Sequence, residues 1–95
     1  MSQSDVVQRR HVLYEGMVQG VGFRYTSRRI ASRFAVSGYV RNLAGGRVEL
    51  VVEGVVKEMD RFLAAVRDEM GDYIERIEGS IHPATGEFRQ FEIRF

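Results

Sequence analysis

Gly16-Met17-Val18-Gln19-Gly20-Val21-Gly22-Phe23-Arg24 joins two patterns of different period. Upstream, residues 11–18 alternate, with Val12, Tyr14, Gly16 and Val18 on one face, which predicts a strand. Downstream, residues 25–34 place Ile30, Ala31 and Phe34 on one side and Arg28, Arg29, Ser32 and Arg33 on the other. That spacing predicts a helix, ended by Ser37-Gly38. A strand that turns through two glycines into a helix opens a β-α-β unit, and the rest of the chain is read from there.

Residues 39–43 form a short second strand, and Ala44-Gly45-Gly46 signals a hairpin, because paired glycines supply the positive φ of tight turns. Residues 47–53 alternate: Val48, Leu50 and Val52 face one way, Arg47, Glu49 and Glu53 the other, and Gly54 breaks the run. Over 55–70, Val55, Met59, Phe62, Leu63, Val66 and Met70 recur every three or four positions, a one-striped helix with Gly71 as its C-cap. Residues 73–81 read as a charged edge strand, and His82-Pro83-Ala84-Thr85-Gly86 as a loop. Residues 88–95 read as a closing strand with Phe91, Ile93 and Phe95 inward. The order β-α-β-β-α-β, plus a C-terminal strand, predicts an α+β, ferredoxin-like sandwich. Its sheet is mostly antiparallel and carries both helices on one face. Residues 1–9 read as a flexible polar tail and 10–95 as one domain.

This topology has a chemical consequence. Strands one and two run parallel, so their C-terminal ends share one edge of the sheet. The glycine turn with Arg24 lies at one end and Asn42 at the other. A glycine-rich turn into a helix leaves main-chain N–H groups free, which is a ready anion site. Arg24, at the start of the helix, opposes the positive end of its dipole unless an anion sits between them. The turn therefore reads as a cradle for a phosphate-sized anion.

Bulk properties narrow the class. Ninety-five residues suffice for one domain with a modest core. The net charge of +1 argues against a dedicated nucleic-acid surface. With no cysteine, thiolate and disulfide chemistry are excluded and a reducing compartment suits the chain. No apolar stretch reaches membrane length and the first ten residues lack a signal-like core, so the default is a cytoplasmic monomer with no membrane partner. His11 and His82 lie far apart without ligand spacing, so neither a metal nor another cofactor is expected.

The nine residues quoted first, together with Gly38-Tyr39-Val40-Arg41-Asn42, Gly46, Val48 and Gly54, resemble the acylphosphatase family from about residue 10 to 95. The resemblance implies a small enzyme that hydrolyses the carboxyl–phosphate bond of acyl phosphates. It assigns phosphate binding to Val18, Gln19, Gly20, Val21, Gly22 and Phe23 with Arg24. It makes Arg24 the catalytic arginine and Asn42 the residue that orients the attacking water.

These residue types suit that chemistry. A carboxylate leaving group needs little protonation, so no general acid is required. The remaining work is to hold the phosphoryl group, spread its charge and place a water in line behind it. A planar guanidinium meets two phosphate oxygens at once. An asparagine can orient water but cannot keep its proton. Taken singly, Gly20 and Gly22 read as a bare tight turn, and Asn42 as an Asx-turn opening the hairpin. The element order also hosts non-enzymatic modules that bind RNA or a small anion, with Phe23, Tyr25 and Tyr39 as candidate stacking residues. Against RNA, residues 47–53 lack the basic, glycine and aromatic signature of that fold's third strand, and Glu49 and Glu53 would repel a phosphate backbone.

Overall fold

In the computed structural model, which describes residues 6–95, five strands form one sheet with two helices packed on it. The strands are β1 (Val7–Gly16), β2 (Val36–Asn42), β3 (Val48–Val55), β4 (Ile74–Pro83) and β5 (Phe91–Arg94). The helices are α1 (Phe23–Ala31) and α2 (Val56–Met70). Across the sheet the order is β4-β1-β3-β2-β5. β1 and β2 both run antiparallel to the β3 strand between them, and β5 lies parallel to β2 at the edge. This is the ferredoxin-like α+β arrangement that the element order predicts, extended by β5.

The core follows from register. Val12, Leu50, Val40 and Ile93 form one cross-strand row, and Tyr14, Val48 and Asn42 form the next. Helix α2 lays Met59, Phe62, Val66 and Met70 on this face, and α1 adds Phe23, Ile30 and Ala31. The Phe62 ring meets Phe91 at 5.3 Å and Phe34 at 6.3 Å, tying α2 to β5 and to the end of α1. Each large side chain so buried contributes on the order of 1.5–3 kcal/mol.

Several boundaries differ from the sequence expectation. Pairing begins at Val7, opposite Val55, so residues 7–9 belong to β1. Of the rest of the expected tail, Val6 O accepts from Val56 N at 3.1 Å and residues 1–5 lie outside the described residues. Helix α1 begins at Phe23 and ends at Ala31, where Arg33 N–H and Phe34 N–H donate to Ile30 O and Ala31 O and tighten the last turn. Gly54 remains within β3. Gly71 is right-handed and opens a single 3₁₀ turn, Gly71–Tyr73, instead of capping α2 in the left-handed form. β4 runs on through His82 and Pro83. β5 is short, and Phe95, beyond its last pair, is 91% exposed instead of inward.

Glu49 and Glu53 lie on the face away from the helices, as alternation predicts, and both are buried there. For Glu53 the cause is topological, whereas Glu49 is enclosed by its sheet neighbours His11, Tyr39 and Arg41. β4 and β5 occupy opposite edges, so the chain between them must cross the sheet, and it does so over this face. Glu53 accepts hydrogen bonds from Arg9 Nε (2.7 Å), Thr85 N (2.9 Å), Thr85 Oγ1 (3.0 Å) and Gly86 N (2.9 Å). Glu49 lies 2.8 Å from His11 Nε2 and accepts from Tyr39 Oη (3.2 Å) and Arg41 Nε (2.6 Å). Burial alone would raise both carboxyl pKa values, but these hydrogen bonds outweigh it and hold both below the ordinary range.

A depressed native pKa adds stability above the unfolded value of about 4.5, and that stability is lost as pH falls through the native value. Urea midpoints are therefore expected to drop from neutral pH towards about pH 3. Glu53→Gln should flatten that acid limb while costing about 1–3 kcal/mol at neutral pH, because buried donors lose their charged acceptor. An acid limb of unchanged steepness in the variant would remove Glu53 as a source.

Candidate active site

The segment 17–22 leaves β1 as Gly16 ends its pairing with β4 and returns as the first turn of α1. Val18 is fully buried and Val21 packs against the core, and these two side chains anchor the segment from below. Gly20 and Gly22 have φ of 78° and 80°, in the left-handed region that side chains disfavour. A Cβ at either would touch nothing within 4 Å, so glycine is required there by backbone conformation and not by space.

Gly22 is the N-cap of α1 and brings no side chain to satisfy the first amides, and the first turn holds no acidic residue. The first helical bond runs from Thr26 N to Gly22 O at 2.9 Å. Among the described residues, no main-chain carbonyl accepts from the N–H groups of residues 19–24. Arg24 falls inside this turn, half-buried, with its guanidinium 4.7 Å from the centre of the Phe95 ring. No carboxylate pairs with it among the described residues. Positive potential from orphan amides, helix dipole and guanidinium is thus concentrated and unanswered.

Asn42 ends β2 opposite Val48. Its side chain forms no hydrogen bond among the described residues, and the hairpin tip is closed instead by Leu43 N to Arg47 O (2.8 Å) and Gly46 N to Leu43 O (3.4 Å). The Asx-turn reading of Asn42 is therefore not what the structure uses. A cavity of about 250 Å³ is lined by Val18, Gly20, Gly22, Phe23, Arg24, Tyr25 and Asn42. Sites for drug-sized ligands run to roughly 300–1,000 Å³, so this one suits a small anion.

Two of the residues expected at the cradle point elsewhere with their side chains. Val21 is turned to the core, and Gln19 reaches across to the hairpin. Tyr25, which the sequence offers only as a candidate stacking residue, also lines the cavity, and its position next to Arg24 in the first helical turn is the signal for it. Of the candidate stacking aromatics, Phe23 is buried beneath the helix against Tyr14, ring centres 4.8 Å apart. Burial raises the Tyr14 phenol well above its usual pKa, so it remains neutral. Tyr39 is already covered by Arg94 (4.0 Å) and Phe88 (5.8 Å). Among the described residues no three His, Cys, Asp or Glu side chains cluster as metal ligands. No helix among them is long and apolar enough to cross a membrane.

Comparison with known proteins fits this geometry. The family model described as Acylphosphatase matches residues 10–93. The chain belongs to the acylphosphatase family. It is 42% identical over 90 residues to an acylphosphatase of Methylococcus capsulatus, spanning 92% of this chain and 96% of that protein. With an acylphosphatase of Aeropyrum pernix it shares 40% identity over 96 residues, 99% of this chain and 95% of the other. The crystal structure of acylphosphatase from Bacillus subtilis superposes with a TM-score of 0.83 at 27% identity, covering 93% of this chain and 99% of that one.

In this acylphosphatase the positive φ at Gly22 leads to a specific expectation. Gly22→Ala should lower stability by about 1–2 kcal/mol through backbone strain alone, since the new methyl group meets nothing. Thermal melts with and without inorganic phosphate should also show less stabilisation by the anion in the variant, because the first-turn amides are redirected. Equal anion stabilisation in both proteins would detach the cavity from the helix terminus.

Proposed function

We propose that this acylphosphatase hydrolyses acyl phosphates by gripping the phosphoryl group between the amides of residues 18–23 and Arg24 while Asn42 places the attacking water. One observation carries the reading: the glycine turn, whose amides no main-chain carbonyl accepts from among the described residues, lines one small cavity with the Arg24 guanidinium and the Asn42 carboxamide, neither of them hydrogen-bonded or ion-paired among those residues. The phosphoryl oxygens take the amide and guanidinium hydrogens, which spreads the charge that grows in the transition state. The carboxamide of Asn42 orients a water behind phosphorus. A bond forms from the water oxygen to phosphorus as the bond to the acyl oxygen breaks, and the electron pair leaves with the carboxylate. The water proton passes to a phosphoryl oxygen of the substrate, so no side-chain base is needed and no metal is invoked.

Other parts of the reading have weaker but distinct support. The cavity is assembled within one chain, which favours action as a monomer. The absence of cysteine suits a reducing compartment such as the cytoplasm. RNA is disfavoured because Tyr39 is covered and Glu49 and Glu53 are committed within the sheet.

Hydrolysis of benzoyl phosphate tests the proposal. Arg24→Gln should lower kcat/KM by about 10²–10³ or more, since a transition-state donor is lost. Asn42→Ala should abolish turnover while inhibition by inorganic phosphate stays nearly intact. If phosphate inhibition weakened as much as turnover, the water-placing role would be wrong. The pH–rate profile should show no basic limb from an enzyme group near neutrality, and a clear protein base titrating there would contradict proton transfer to the substrate.

A further inference from the structure

The geometry points to a role for the side chain of Gln19 as a positioning residue that fixes the spacing between the phosphoryl cradle and Asn42, an inference that rests on the reading above. Its Nε2 donates to Leu43 O at 2.8 Å and to Arg47 O at 2.9 Å. Both hydrogens of the amide are thereby used, so this side chain has none left for a phosphate. The two carbonyls flank the hairpin tip at 44–46, immediately after Asn42.

The tip needs such a support. Its own closure consists of one good main-chain hydrogen bond and a second one stretched to 3.4 Å. The cradle has few other ways to reach it. Gly20 and Gly22 carry no side chain, Val18 and Val21 point down into the core, and Met17 is 75% exposed. Among the described residues, Gln19 is the one side chain that hydrogen-bonds segment 17–22 to the hairpin.

Arg24 and the amides belong to one side of this bridge and Asn42 to the other. The cradle is built locally, from the glycine turn and the first turn of α1, with Gly22 as the helix cap. In-line attack depends on the distance between the two sides, where a misplacement of about 1 Å can cost about 10²-fold. Gln19 therefore acts on turnover more than on anion binding.

The experiment compares wild type, Gln19→Leu and Gln19→Glu in benzoyl phosphate hydrolysis, with inhibition by inorganic phosphate measured on each. Gln19→Leu should lower kcat by roughly 10–100-fold and leave the phosphate inhibition constant nearly unchanged. Gln19→Glu should be worse near neutrality, because a carboxylate then faces two carbonyl oxygens. Its kcat relative to wild type should recover as pH falls and the protonated acid regains one donor. Losses in kcat and phosphate inhibition of equal size, or an unchanged kcat in Gln19→Leu, would overturn the positioning role. If Gln19→Leu does not fold, Gln19→Ala carries the same two outcomes. An active wild type with proportionate losses overturns this inference alone, whereas an inert wild type overturns the acyl phosphate reading together with it.

Discussion

A helix terminus that is positive, uncapped and loaded with a further cation is the constraint around which the molecule is organised. Most helices quench their first amides with a serine, aspartate or asparagine at the N-cap and an acidic residue in the first turn. Helix α1 has glycine at the cap, no acid in the first turn and Arg24 within it. Each choice removes a local stabilisation worth roughly 0.3–1 kcal/mol. The compensation comes from elsewhere: Phe23, Ile30 and Ala31 are buried, and the Tyr14 ring packs under Phe23. Core packing thus holds in place a helix end that its own local chemistry leaves unsatisfied.

The opposite face of the sheet shows why such a site could form on one side only. A five-stranded sheet with helices on one face normally leaves the other wet. Here the segment between β4 and β5 closes over it, and Glu53 receives that segment through the amides of Thr85 and Gly86. Arg94 and Phe88 then cover Tyr39, with Arg9 over Phe88 at 5.0 Å. Arg9, His11, Tyr39, Arg41, Glu49 and Glu53 on this face are bonded to one another or to the crossing segment. Arg24 and Asn42, without a hydrogen-bond or ion-pair partner among the described residues, lie at the sheet end where β1 and β2 terminate.

How much of this was legible depended on whether the deciding interaction was local. The glycine turn, the hairpin and the stripe of α2 are set by period and by turn chemistry within a few residues, and all three stand where expected. Alternation assigns Glu49 and Glu53 to the face away from Val48, Leu50 and Val52 but does not report what later crosses that face. The covering residues, Thr85 to Phe88, lie more than thirty positions downstream of Glu53. Phe95 was misread because its inward phase persists only while β5 is paired, and pairing stops at Arg94. Its ring instead stacks on Arg24, a contact between the C-terminal residue and the first turn of α1 that no periodicity encodes. For Gln19, position in the cradle was readable, but the direction of its side chain was a tertiary fact.

The same distinction explains how two groups from separate elements are brought to one cavity with little freedom between them. Tyr14, Val48 and Asn42 sit side by side on β1, β3 and β2, and all three face the helices. Two strand spacings make that row about 10 Å wide. Phe23 rests on Tyr14 at one end of the row, with Arg24 as its neighbour in sequence, and Asn42 is the other end. The ladder therefore sets the separation of guanidinium and carboxamide in the main chain, with Val48 fully buried between them. A packed row of this kind resists compression because protein interiors are close-packed. It offers less resistance to the hairpin tip tilting out of the sheet plane, since the tip lies past the last ladder pair. Restraint against that motion has to come from outside the sheet, and the turn that follows β1 is the element placed to supply it.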